Sequence, residues 1–210
     1  ADQRGLGIPM QPMGSNFGDL DNDGYLDFYL GTGDPSYSTI VPNLMFLNRA
    51  GQRFADISVA GGFAQLQKGH AVAFADLDND GDLDAVVNNL NDPAAVYRNN
   101  APGPRVAVRL KGRAPNTAGV GASIRVEGGP VAQSQQVMAG GRDLSSDDTL
   151  KVFAAAARPL RLEVRWRSGR RSVVESPPAS RIYEIEEPAD RSAAPPRPAA
   201  QPSLAGAFFA

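Results

Sequence analysis

Short apolar runs, set apart by polar, glycine-rich and proline-rich segments, organise the chain up to about residue 187. From Arg105 the alternation has period two. Val106, Val108 and Leu110 alternate with Arg109 and Lys111, and Ile124 and Val126 flank Arg125. Leu160, Leu162, Val164 and Trp166 then alternate with Arg161, Glu163, Arg165 and Arg167. Period two sends successive side chains to opposite faces of a strand, so these segments predict strands with one buried and one charged face. Ser168-Gly169 predicts the turn into a partner strand at Val173-Val174. No segment keeps a helical period beyond about three turns, and the fold class expected is all-β.

The first half reads as two copies of one unit. FGDLDNDGYLDFYL, from Phe17 to Leu30, returns at residue 74 as FADLDNDGDLDAVV, an offset of 57 residues. Each copy continues with an apolar run, Phe28-Tyr29-Leu30 or Ala85-Val86-Val87, and then a polar segment. A second strand follows: Leu44-Met45-Phe46-Leu47-Asn48 in the first copy is echoed by Ala95-Val96-Tyr97-Arg98-Asn99 in the second. Arg53-Phe54-Ala55-Asp56-Ile57 predicts a further strand, with Gly61-Gly62 as a turn. A repeat of this length with about four strands has the size of a β-propeller blade. The expected organisation is two blades over 1–104, a small antiparallel β domain over 105–187, and a disordered Pro/Ala-rich tail over 188–210.

Charge is distributed unevenly. Residues 1–104 carry a balance of −8 and residues 105–210 a balance of +6, within an overall −2. Nine of the 13 acids in the first half lie in the two repeated loops, which points to a bound cation rather than to general solubility. Calcium takes six to eight oxygen ligands. Asp19, Asp21, Asp23 and Asp27 with the Tyr25 carbonyl can supply one such set; Asp76, Asp78, Asp80 and Asp84 with the Asp82 carbonyl can supply a second. Gly24 and Gly81 mark the bend, where positive φ is expected. An ion would cut the charge of each four-carboxylate set from −4 to −2. An EF-hand needs a Glu at position 12 and flanking helices, whereas position 12 is Leu30 or Val87 inside an apolar run. An Asp/Asn/Gly hairpin turn is the plainer alternative, and two copies at one spacing favour Ca2+ at two sites.

These residues carry a resemblance. Phe17 to Asp27, followed by a strand and Asn43-Leu-Met-Phe-Leu-Asn-Arg49, resembles the FG-GAP/VCBS repeat of integrin α-subunit propellers. The second half resembles the ASPIC/UnbV module that follows such repeats in proteins of the cartilage acidic protein type and their bacterial relatives. There the resemblance rests on Val106 to Gly112, Asn116, Gly119-Val-Gly121-Ala122 and Val164-Arg-Trp-Arg-Ser-Gly169. The chain departs from the module's pattern at Phe153-Ala-Ala-Ala-Ala157, where relatives carry Phe-Gly-Leu-Gly, and at Arg167, where they tend to carry proline. The resemblance implies a propeller, seven-bladed in integrins, which would need about 400 residues at this blade length. Two blades cannot close a ring, and an open edge invites pairing with another chain. A longer chain with further blades is therefore expected.

The remaining candidates are weaker. His70, the only histidine, is expected to brace the second loop through a hydrogen bond. Gly31-Thr-Gly33 and Gly119-Val-Gly121 are read as turns, and Asp147-Asp148 as a solvated loop. Arg165, Arg167, Arg170 and Arg171 crowd one hairpin. They suit a polyanion such as an acidic glycan, a solvated strand face, or a surface docked on the acidic blades; no nucleic-acid motif accompanies them. There is no cysteine, so no thiol chemistry, and no apolar run long enough for a transmembrane helix. No catalytic motif is present. The function expected is a non-enzymatic, calcium-stabilised module of a secreted, periplasmic or cell-surface protein that recognises a protein or glycan. The alternative is the scaffold or accessory domain of a secreted enzyme or biosynthetic protein.

Overall fold

The computed structural model describes residues 2–33, 36, 41–156 and 158–189. The expected tail lies outside them, apart from Pro188 and Ala189. The described residues are almost entirely strand and turn, with a single short 3-10 helix at Asp2–Arg4.

Blade 1 is an antiparallel sheet of β1 (Pro12–Gly18), β2 (Asp27–Thr32), β3 (Leu44–Arg49) and β4 (Arg53–Asp56), paired in chain order. Blade 2 repeats the first three strands as β5 (Gly69–Ala75), β6 (Asp84–Asn89) and β7 (Ala95–Tyr97). It has three strands where four were expected. After Asn99 the chain runs through Ala101-Pro-Gly-Pro104, and prolines lack the N–H that a returning ladder strand must donate.

The blades stack closely because small residues line the contact. An ideal Cβ on Gly31 would stand 1.7 Å from the Gly69 carbonyl oxygen, and one on Gly14 would stand 2.1 Å from that of His70. Gly31 thus lies inside a strand, not in the expected turn, and its missing side chain admits the neighbouring blade's backbone. Between the sheets Tyr29, Met45, Val72, Phe74 and Val87 form one buried cluster. Tyr29 meets Phe63 edge-on at 6.0 Å, and Phe63 meets Tyr97 at 4.9 Å. His70 Nε2 reaches the Gly33 carbonyl at 3.2 Å, so it braces one blade against the other instead of bracing the acidic loop.

The second half is a sandwich. One sheet is β10 (Gln133–Gln136), β9 (Ser123–Glu127), β12 (Arg161–Arg165) and β13 (Arg171–Glu175); the other is β11 (Lys151–Ala154), β8 (Arg105–Lys111) and β14 (Arg181–Glu186). The ladders are antiparallel except β14 on β8, which is parallel. The alternation read in sequence is realised: Val106, Val108, Ile124, Val126, Leu162, Val164 and Trp166 fill the core between the sheets. Strand β11 is buried on both faces. Phe153 joins this core, while Val152, with Leu150 and Ala107, joins the blade cluster.

The segment before β11 closes an edge that two blades leave open. Asp147 Oδ1 accepts the Phe74 amide at 2.9 Å and the Asn16 side-chain amide, and Arg142 donates to Oδ2 at 3.0 Å. Ser145 Oγ donates to the Val72 carbonyl at 2.8 Å, and the Asp148 amide to the Phe74 carbonyl at 3.2 Å. Asp147 is therefore no solvated loop residue; it occupies the free edge of β5 and ties it to β1.

Gly31→Ala should lower stability by about 1–3 kcal/mol, the range for overpacking a filled interface. Chemical denaturation checks it, and an unchanged midpoint would show that the blades are not held at this separation.

Candidate metal centre

The two acidic loops join β1 to β2 and β5 to β6, and they superpose bond for bond. Asn22 and Asn79 adopt φ of 58° and 60°, and Gly24 and Gly81 adopt 90° and 89°, left-handed values that asparagine and glycine accept readily. Asp19 accepts the amides of Asp23 at 3.1 Å and Gly24 at 2.9 Å; Asp76 accepts those of Asp80 at 3.1 Å and Gly81 at 3.0 Å. Asp23 accepts the Tyr25 amide at 2.8 Å, and Asp80 the Asp82 amide at 3.0 Å.

The last aspartate of each loop locks it to the sheet. Asp27 accepts Leu20 N at 2.9 Å and Asn48 N at 2.7 Å; Asp84 accepts Leu77 N at 2.9 Å and Asn99 N at 2.7 Å. Both carboxylates are buried. Asn48, near the end of β3, and Asn99, two residues past β7, were not singled out in sequence as loop partners, although their matching places in both copies were the available signal.

One carboxylate oxygen each from Asp19, Asp21 and Asp23 falls within 4.8 Å of the others, and so does one each from Asp76, Asp78 and Asp84. That separation suits oxygens sharing one ion at 2.3–2.6 Å. The donor set is entirely oxygen, without histidine or cysteine, which is hard-cation chemistry. In loop 1, Asp21 Oδ1 and both amide atoms of Asn22 are buried without a hydrogen-bond partner, the state expected of groups meant for a ligand. The residues fit a metal ion, and each cluster can hold one. Asp27 and Asp80 lie outside these two tight clusters. Asp84, the repeat equivalent of Asp27, accepts the two equivalent backbone amides and still joins its cluster, so the two sets differ in their third member; Asp80 pairs with Arg105 at 3.1 Å. Tyr25 and Asp82, expected to offer carbonyls, occupy equivalent positions after the glycine bend.

The loops differ in their surroundings. Arg49 stands 3.8 Å from Asp21, and Arg98 2.5 Å from Asp78. Arg105, at the start of β8, adds a contact that loop 1 lacks: it donates to Asp80 and to the Ala101 carbonyl, and it lies 3.4 Å from the buried Asp82 carboxylate. Loop 1 instead meets the sandwich through Val131, whose methyl would stand 2.8 Å from a Cβ on Gly24. Each acidic loop is thus a seat for the second domain, a juxtaposition with no sequence signal.

Burial pushes the Asp19 and Asp27 carboxyls up to about 7, against the backbone amides that stabilise their ionised forms, and neighbouring aspartates add to the rise. Burial also raises Asp82, to about 6, although Arg105 opposes the shift, and raises Asp23 and Asp76. Such acids hold more protons folded than unfolded between about pH 4 and 7, so metal-free stability should fall as pH rises through that window. A cation competes with those protons, so its affinity should rise over the same range. Melting curves at pH 5 and 7.5, in chelator and in divalent cation, check both; a flat metal-free profile would contradict the first. Asp27→Ala strands two backbone donors and should cost about 3 kcal/mol with or without metal. Asp21→Ala should leave metal-free stability unchanged or raised and reduce only the response to cation.

A family model described as an FG-GAP-like repeat matches residues 19–87, from the first aspartate of loop 1 to the end of the apolar run after loop 2. A second, described as ASPIC and UnbV, matches residues 112–192. No curated protein matches the chain. Among the described residues no helix is long and apolar enough to cross a membrane. The chain therefore combines an FG-GAP-like repeat segment with an ASPIC and UnbV domain.

Proposed function

We propose that the chain is a non-enzymatic recognition module of an exported protein, in which two structural Ca2+ ions, one per acidic loop, fix the blades and the seat of the sandwich. The observation that carries the reading is the pair of all-oxygen clusters, Asp19/Asp21/Asp23 and Asp76/Asp78/Asp84, which share two of their three repeat positions. Calcium supplies charge neutralisation and multidentate closure there; the carboxylates supply the ligands, and the backbone amides hold the loops in register. Calcium suits such a set better than magnesium, which keeps several waters and demands near-ideal octahedral geometry. Extracellular millimolar calcium would keep the sites filled, which supports export to the periplasm, cell surface or medium.

The outer face of blade 1 supports membership of a longer stack. Phe17 is 49% exposed, while its repeat equivalent Phe74, covered by blade 1, is 2% exposed. A preceding blade of a longer chain would cover Phe17 as blade 1 covers Phe74. In such a chain the amides of β1 should be protected from hydrogen exchange; rapid exchange there would count against the stack.

If each accessible site has a Kd near 10 μM, 1 mM Ca2+ stabilises the fold by about 2.7 kcal/mol per site, a rise of roughly 5–10 °C in Tm for a chain of this size. Differential scanning calorimetry in 1 mM Ca2+ and in excess chelator measures it. An unchanged Tm would remove the basis of the reading.

A further inference from the structure

The arginines of the β12–β13 hairpin separate onto two faces. Arg165 and Arg171 turn to the outer face of the four-stranded sheet, where Glu163 accepts from Arg165 Nε at 2.9 Å and Arg171 Nη2 at 2.6 Å, with Arg161 at 3.1 Å on its other oxygen. Those guanidiniums are occupied. Arg167 and Arg170 lie beyond the strand end and line a cleft of about 390 Å3 with Arg113, Ser168 and Trp166.

Among the described residues, the carboxylate that lines this cleft shows what its walls recognise. Glu187 accepts from Ser168 Oγ at 2.5 Å, the Arg113 amide at 3.1 Å and Arg170 Nη1 at 3.1 Å. Its side chain is only 10% exposed. These three donors hold its pKa below the ordinary carboxylate value even though burial opposes it. With Glu187 pairing Arg170, the guanidiniums of Arg113 and Arg167 make no ion pair among the described residues, so the cleft keeps an excess of positive charge. Guanidinium forks match carboxylates in geometry. The volume is enough for a sugar ring and its substituents, and the largely buried Trp166 borders it from the core side.

We propose that this cleft is a binding site for a carboxylate-bearing sugar, a uronate unit of an acidic glycan, held by Arg113 and Arg167 beside Trp166. The inference rests on the recognition role proposed above, for which it names a ligand class and a place, and it is read independently of calcium. Trp166 is the only tryptophan in the chain, so its fluorescence reports from the cleft itself. Trigalacturonate should change that emission saturably, while its methyl ester, with the same rings and no charge, should not. Arg113→Gln and Arg167→Gln should each weaken binding about tenfold, the scale of one charge-assisted contact, with unchanged Tm. Arg165→Gln, on the opposite face, should bind as the native chain does. Equal binding of the ester, an unaffected Arg167→Gln, or binding of a sulfated oligosaccharide but not the uronate would overturn the proposal. Absence of uronate binding with an intact calcium response sinks this inference alone; uronate binding without a calcium response sinks only the calcium reading.

Discussion

Buried carboxylates need partners, and this fold is arranged around that requirement. Asp27 and Asp84 are buried at the start of β2 and β6, and each takes one amide from the head of its own loop and one from the far end of the next strand or just beyond it. A single side chain thereby sets loop, strand and register together. The same economy concentrates charge: in each loop three aspartates converge on one small volume, burial and mutual repulsion raise the pKa values of several of them, and a divalent ion is the simplest way to relieve both. Rigid loops and a set of oxygens that can hold a metal ion follow from one arrangement.

That rigidity has a structural consequence for the second domain. The sandwich does not hang from the blades by a linker. Strand β11 and the start of β8 are buried on both sides, with Val152 and Ala107 in the blade cluster and Phe153 and Val106 in the sandwich's own core. Arg105 reaches into loop 2, and Val131 rests on the bend of loop 1. Asp147 covers the free edge of β5. A propeller ring removes edges by closing; here the segment leading into β11 covers one edge with side chains and a few backbone bonds, while the apolar outer face of blade 1 stays partly exposed.

The arginines show how the same residue type can serve opposite purposes. Around Glu163 three guanidiniums neutralise one carboxylate, lowering its pKa to about 2 with Arg165 the leading cause, and they leave a mixed, solvated sheet face. Across the strand end, Arg113 and Arg167 make no ion pair among the described residues. Solvated face and anion-binding surface, two alternatives for one hairpin in the linear sequence, are divided between its two sides.

Local chemistry was legible without coordinates. Period-two alternation marked the strands of the sandwich, because burial on one face fixes which residues must be apolar. Two Asp-rich loops at one spacing marked the candidate metal centres, because ligand number and the positive φ at Gly24 and Gly81 are properties of a short segment. What only the tertiary structure decided involves residues far apart in the chain. Gly31 reads as a turn until the Gly69 carbonyl is set against it; Asp147 reads as solvated until β5 offers its edge. The three-stranded second blade, the seating of the sandwich on both acidic loops and the division of the arginines depend on which surfaces meet, and no periodicity within one segment encodes a contact with another.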